Sequence, residues 1–88
     1  MNLCFIIGKI INDVDFKFIL SGKHKSIVIL KIKLINGSEI EVRAYDEIAD
    51  ICYRFFNKNE IVLVEGRLNT KMYIVLKKIE KIDWKAKD

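Results

Sequence analysis

The side chains of this 88-residue chain that can do chemistry are cations and flat rings grouped on strand-like stretches. From Ser26 to Ile35 the residues alternate, with Val28, Leu30, Ile32 and Leu34 on one side and Ile27, Ile29, Lys31, Lys33 and Ile35 on the other. The next stretch turns Ile40, Val42 and Ala44 inward and Glu39, Glu41, Arg43 and Tyr45 outward. Lys31, Lys33, Arg43 and Tyr45 thus share one face, while Arg67 and Lys71 flank a later connection with Tyr73 close behind. Cations attract a polyanionic backbone and tyrosine rings accept stacked nucleobases, a combination suited to a single-stranded nucleic acid. Phe16 and Lys17 are weaker members of the set, because Phe16 and Phe18 suit a core better than a ligand face. The plain alternative for each cation is a solubilising or edge-protecting role, and for each tyrosine a rim position with its hydroxyl in water. His24, between two lysines in a polar turn, reads as a solvated loop residue.

Catalytic chemistry finds little footing. One histidine and two well-separated cysteines do not make a zinc site of the usual spacing, and no glycine loop is built to cradle phosphate. Asp13 with Asp15, and Asp46 with Asp50, fit a turn and a helix start better than an acid–base pair. The expectation is a non-enzyme without cofactor, metal or small-molecule substrate.

Composition points the same way. The chain is 51% apolar and 32% charged, which suits one globular domain, and with no proline and 4 glycines it has no linker. A formal net charge of +4 and a pI near 9.1 lean modestly towards a polyanionic partner. The early apolar stretch from Leu3 to Ile7 is too short to span a membrane and lacks the lead-in of a signal peptide. A cytoplasmic protein without a membrane partner is expected. Cys4 and Cys52 lie among apolar residues and read as buried reduced thiols.

The elements that must position these groups follow from periodicity and turn chemistry. Residues 3–11 form a strand with Gly8 as a bulge signal, and Val14, Phe16 and Phe18 continue a half-buried strand pattern. After the polar turn Ser21-Gly22-Lys23-His24-Lys25 comes the long strand, then Asn36-Gly37 as a two-residue hairpin with both central residues at positive φ. Asp46 is expected to cap a helix whose buried face is Ile48, Ile51, Cys52 and Phe55, stopped by Asn57-Lys58-Asn59. Ile61 to Leu68 is a buried strand with Gly66 marking a bend or bulge, and Met72 to Ile82 is the last strand. About five strands with one helix between the third and fourth is the order of a five-stranded oligonucleotide/oligosaccharide-binding (OB-fold) barrel, all-β with one short helix. Residues 1–83 form that single domain and 84–88 a short C-terminal extension, with Trp84 unassigned to any ligand.

The opening Met1-Asn2-Leu3…Ile7-Gly8-Lys9-Ile10 and the stretch from Asn57 to Thr70, with Val64-Glu65-Gly66-Arg67-Leu68 its most specific part, resemble the bacterial single-stranded DNA-binding protein family. The resemblance covers roughly residues 1–82 and implies sequence-tolerant single-stranded DNA binding in replication, repair or DNA transfer. It places Tyr45 at the family's stacking aromatic before the helix and Tyr73 near another. Family members pair through their first strands into dimers and tetramers, so a homo-oligomer is implied. The outward Ile27, Ile29 and Ile35 supply an apolar stripe for such an interface. The binding hairpins are shorter here than in the family, and the chain ends in Lys85-Ala86-Lys87-Asp88 without an acidic tip. That pattern also fits a tailless primosomal protein of the same fold, an RNA binder, or an interaction module that docks a protein through its isoleucines.

Overall fold

The structure is a computed structural model that describes residues 3–83. The expected extension at 84–88, Trp84 included, lies outside the described residues. Six strands and one helix follow in the order β1 (Leu3–Ile10), β2 (Phe16–Phe18), β3 (Ser26–Leu34), β4 (Glu39–Tyr45), α1 (Asp46–Phe55), β5 (Ile61–Leu68) and β6 (Ile74–Lys81). The sheet runs β1-β5-β6-β4-β3, and β1 pairs again with β3, closing a five-stranded barrel with β2 added outside β3. This is the OB-fold barrel, with one adjustment: α1 follows the fourth strand, because Phe16–Phe18 pairs as a separate short strand.

Alternation builds the core. Val28, Leu30 and Ile32 of β3, Val42 and Ala44 of β4, Val62 and Val64 of β5, and Ile74 and Leu76 of β6 are all buried, each two residues from the next on its strand. The β4–β6 contact is the one parallel pairing, Val42 opposite Ile74 and Arg43 opposite Val75, while every other pairing is antiparallel.

Gly66 and Gly8 serve close approach rather than bulging. A Cβ on Gly66 would run into the Val75 carbonyl and lie 2.5 Å from Ile74 Cγ2, and one on Gly8 would lie 2.5 Å from the Lys33 carbonyl oxygen. Both are points where strands cross tightly as the sheet curls on itself. The register shift expected near Gly66 falls on its partner instead: Glu65 faces Lys78 and Gly66 faces Leu76, leaving Lys77 of β6 as the extra residue. At Gly8 the ladder is regular on both sides.

The helix is rotated from its expected setting. Ala49, Cys52 and, just past its end, Phe56 are buried, whereas Ile51 and Phe55 are exposed. Small residues at 49 and 52 let the helix sit close over the barrel end, and Phe56 fills the space that remains. Burial pushes the Cys52 thiol up to about 12, so it stays protonated at neutral pH. Cys4 is only half-buried, and neither cysteine is bonded to the other. Asp46 does not cap α1. It enters the helix at φ 55, and its carboxylate instead accepts hydrogen bonds from the Lys25 and Ser26 N–H groups. Asn59, at φ 78, takes the left-handed position before β5.

Candidate nucleic-acid interface

The outer surface of the barrel is read across strands. Cross-strand pairing sets Ile29, Arg43, Val75 and Arg67 in one lateral row over β3, β4, β6 and β5, and the next row holds Lys17, Ile27 and Tyr45. The direct step from β4 into α1 leaves Tyr45 at the strand–helix junction, while the β5–β6 turn delivers Tyr73 from the other side. The Arg43 guanidinium carbon lies 3.8 Å from the Tyr73 ring centroid, a cation–π contact. Arg43 also pairs with the Glu41 carboxylate, which raises its pKa further and fixes the plane of the guanidinium.

Tyr45 and Tyr73 stand close enough for each ring to shift the other's titration. Burial, and then the neighbouring Tyr73, hold the Tyr45 pKa above the ordinary tyrosine value; the neighbouring Tyr45 lowers that of Tyr73. Arg43, Tyr45 and Tyr73, three of the residues singled out from sequence, thus form one connected cluster.

The remaining cations lie at different distances from it along the outer face. Lys31 stands opposite Glu41 and Lys33 opposite Glu39 in the β3–β4 register. Among the described residues no ion pair involves Lys31, Lys33, Arg67 or Lys71. Lys71 sits in the β5–β6 turn, close enough to help lower the Tyr73 pKa. Phe16 packs against the core and Lys17 is exposed.

The isoleucine stripe is not continuous. Ile27 and Ile29 are half-buried in a cleft of about 230 Å³ shared with Asn12, Asp13, Asp15 and Lys17. Ile35 is fully exposed at the far end, beside Ile7 and Ile61. A different apolar face stands open on β1, where Leu3, Phe5 and Ile7 are 41%, 60% and 51% exposed. Sequence alternation around Gly8 carries that signal, since Cys4, Ile6 and Ile10 point the other way.

His24 is the residue that sequence reasoning missed. Its ring stacks on Tyr45 and bonds to Asp46, although nothing local in Lys23-His24-Lys25 announces it. Only the β3–β4 register, which sets Tyr45 opposite Ile27, brings the turn before β3 onto that ring.

The closed five-stranded barrel with one helix defines the class as an OB-fold barrel, whose outer face brings aromatic rings and cations together. The chain is similar in structure to the single-stranded DNA-binding (SSB) domain of a Synechococcus sp. protein, with a TM-score of 0.76 and 14% identity over 90% of this chain and 93% of that one. It is also similar to the wild-type single-stranded DNA binding protein from Thermus aquaticus, with a TM-score of 0.83 and 22% identity. That match covers 100% of this chain and 43% of the Thermus protein, so the chain spans under half of the latter's length. At these identities the likeness is one of fold. No protein-family model matches the chain, and no curated protein matches it.

Proposed function

We propose that this protein binds single-stranded DNA with little sequence preference, through base stacking and backbone electrostatics, in replication, repair or DNA transfer. The observation that carries the reading is the Arg43–Tyr45–Tyr73 cluster, with Lys31, Lys33, Arg67 and Lys71 elsewhere on the outer strands and turns, on a barrel shared with two single-stranded DNA-binding structures. Each ring can add ~1–3 kcal/mol per stacked base whatever its sequence, and the lysines add a salt-sensitive term. Glu39 and Glu41 beside the cations keep that term moderate. In this reading the protein works in the cytoplasm; among the described residues no helix is long and apolar enough to cross a membrane.

The test is fluorescence anisotropy of a labelled oligo-dT of about thirty nucleotides at low and physiological salt, with a duplex as control. The expected result is binding to dT that weakens as salt rises, with little binding to the duplex. No binding at either salt overturns the reading.

Self-association is a second element of the proposal, favoured by the open apolar row Leu3, Phe5 and Ile7. A row of this kind on β1 suits a second copy of the chain, giving a dimer or tetramer. Ile35 extends the row at its Ile7 end, whereas Ile27 and Ile29 lie apart in their cleft. Light scattering should give a mass above 10.3 kDa at micromolar concentration. A monomer would remove this element and leave strand binding intact.

A further inference from the structure

One face of the Tyr45 ring is already occupied. His24 lies on it with ring centroids 4.2 Å apart and planes 20° from parallel. The imidazole is fixed in place: its Nδ1 is 2.8 Å from Asp46 Oδ2. Asp46 is anchored in turn, its Oδ1 accepting the Lys25 N–H at 2.7 Å and the Ser26 N–H at 3.2 Å. The ring that backs the imidazole and the carboxylate that braces it are therefore consecutive residues, held at the β4–α1 junction by the positive φ of Asp46. The His24 side chain is 40% exposed, so with one face on Tyr45 it still presents surface to solvent.

We propose that His24 is the outer leaf of the stacking platform: a nucleobase stacks on the imidazole, with Tyr45 as its backing and Asp46 as its brace. The proposal rests on the strand-binding reading and changes which ring meets the base on this side. A base arriving there encounters His24 before Tyr45, and the two near-parallel rings present a deeper aromatic surface than tyrosine alone. Orientation by Asp46 is settled before binding, so little side-chain entropy is lost when the base arrives. An imidazole face, like a phenol face, accepts any base, which keeps the platform tolerant of sequence. Tyr45 and Asp46 are then positioning residues for His24, in addition to the link between Tyr45 and Tyr73.

His24 is the only histidine in the chain, so its Hε1 and Hδ2 resonances are a unique NMR probe. Two titrations are compared: oligo-dT, and an abasic strand of equal length and charge. Stacking on His24 predicts an upfield ring-current shift of both protons that follows the anisotropy isotherm with dT and is absent with the abasic strand. His24→Ala should lose about fivefold in dT affinity and nothing on the abasic strand, while His24→Phe keeps the dT affinity. Should His24→Ala disturb the turn, the wild-type NMR titration still decides. Binding of dT with no His24 shift, or an equal loss on both strands, overturns the proposal and leaves strand binding standing. Absence of binding to both strands overturns the two together.

Discussion

The β3–β4 and β5–β6 hairpins turn in the same way but place their strain differently. In the first, the Gly37 N–H donates to the Leu34 carbonyl (2.9 Å) and the Leu34 N–H to the Ser38 carbonyl (2.8 Å), with Gly37 at φ 90. In the second, the Met72 N–H donates to the Asn69 carbonyl (3.1 Å) and the Asn69 N–H to the Tyr73 carbonyl (3.0 Å), with Met72 at φ 71. Both are turns closed by one left-handed residue, rather than the two-residue form that Asn36-Gly37 suggests; Asn36 keeps negative φ. Glycine takes the left-handed position without steric cost, and methionine does not. Asn69 helps hold the strained turn, its Oδ1 accepting from the Lys71 and Tyr73 N–H groups at 3.0 and 3.3 Å. The relaxed tip carries Ile35 and no charge, while the strained one leads straight into Tyr73 beneath Arg43. Backbone strain held in place by its surroundings is a mark of working parts of a protein, and here it sits beside the proposed interface.

The largest expected difference between the tips is in binding. Tyr73→Ala should weaken oligo-dT affinity about tenfold, losing one stacking ring and the surface that orients Arg43, while Ile35→Ala leaves affinity unchanged. Equal effects by anisotropy would make the two tips functionally alike. Next comes stability: Gly37→Ala should cost ~1–2 kcal/mol in urea unfolding, and Met72→Gly should gain ~1 kcal/mol. If Met72→Gly destabilises, the strain at 72 is compensated by contacts of its side chain.

A smaller effect is expected on salt dependence. Lys71→Ala should reduce the slope of log K against log salt by about 0.7, and Lys33→Ala, opposite Glu39, by less. The reverse order would shift the strand's path towards the first tip. The smallest effect is spectroscopic, since the first tip carries no titratable group. Absorbance at 295 nm should show Tyr73 losing its proton below the ordinary value of about 10 and Tyr45 above it, with Tyr45→Phe returning Tyr73 towards normal. The downward shift means that Tyr73's contribution to stability is present above the unfolded value and lost as pH falls through the folded one; Tyr45, shifted upward, acts in the opposite sense.

Much of the barrel was legible in the chain because half-buried strands write their faces as alternation. Val28-Ile29-Leu30-Lys31-Ile32-Lys33 and Ile40-Glu41-Val42-Arg43-Ala44-Tyr45 read correctly residue by residue. The helix face was legible only in part: Cys52 is buried and Ile48 packs against the core as expected, but Ala49 and Phe56 take the places that periodicity offered equally to Ile51 and Phe55, and the fit to the barrel end breaks the tie. Asp46 was misread for a related reason. A carboxylate at a helix start ordinarily caps that helix, but here backbone donors 20 and 21 residues away reach it first.

Spacing along the chain was enough to set the succession of the long strands and the helix, the inward and outward sets of β3 and β4, and the types of side chain on the outer face. Tertiary structure decided which of those side chains meet. Arg43 over Tyr73 and His24 on Tyr45 lie 30 and 21 residues apart in sequence, and both contacts arise from closure and register. The tight crossings at Gly8 and Gly66 let the strands curl into a barrel, and the β4–β6 parallel pairing carries Tyr73 to the Arg43 side. No local pattern encodes such contacts, because their geometry belongs to the sheet as a whole and not to any one strand.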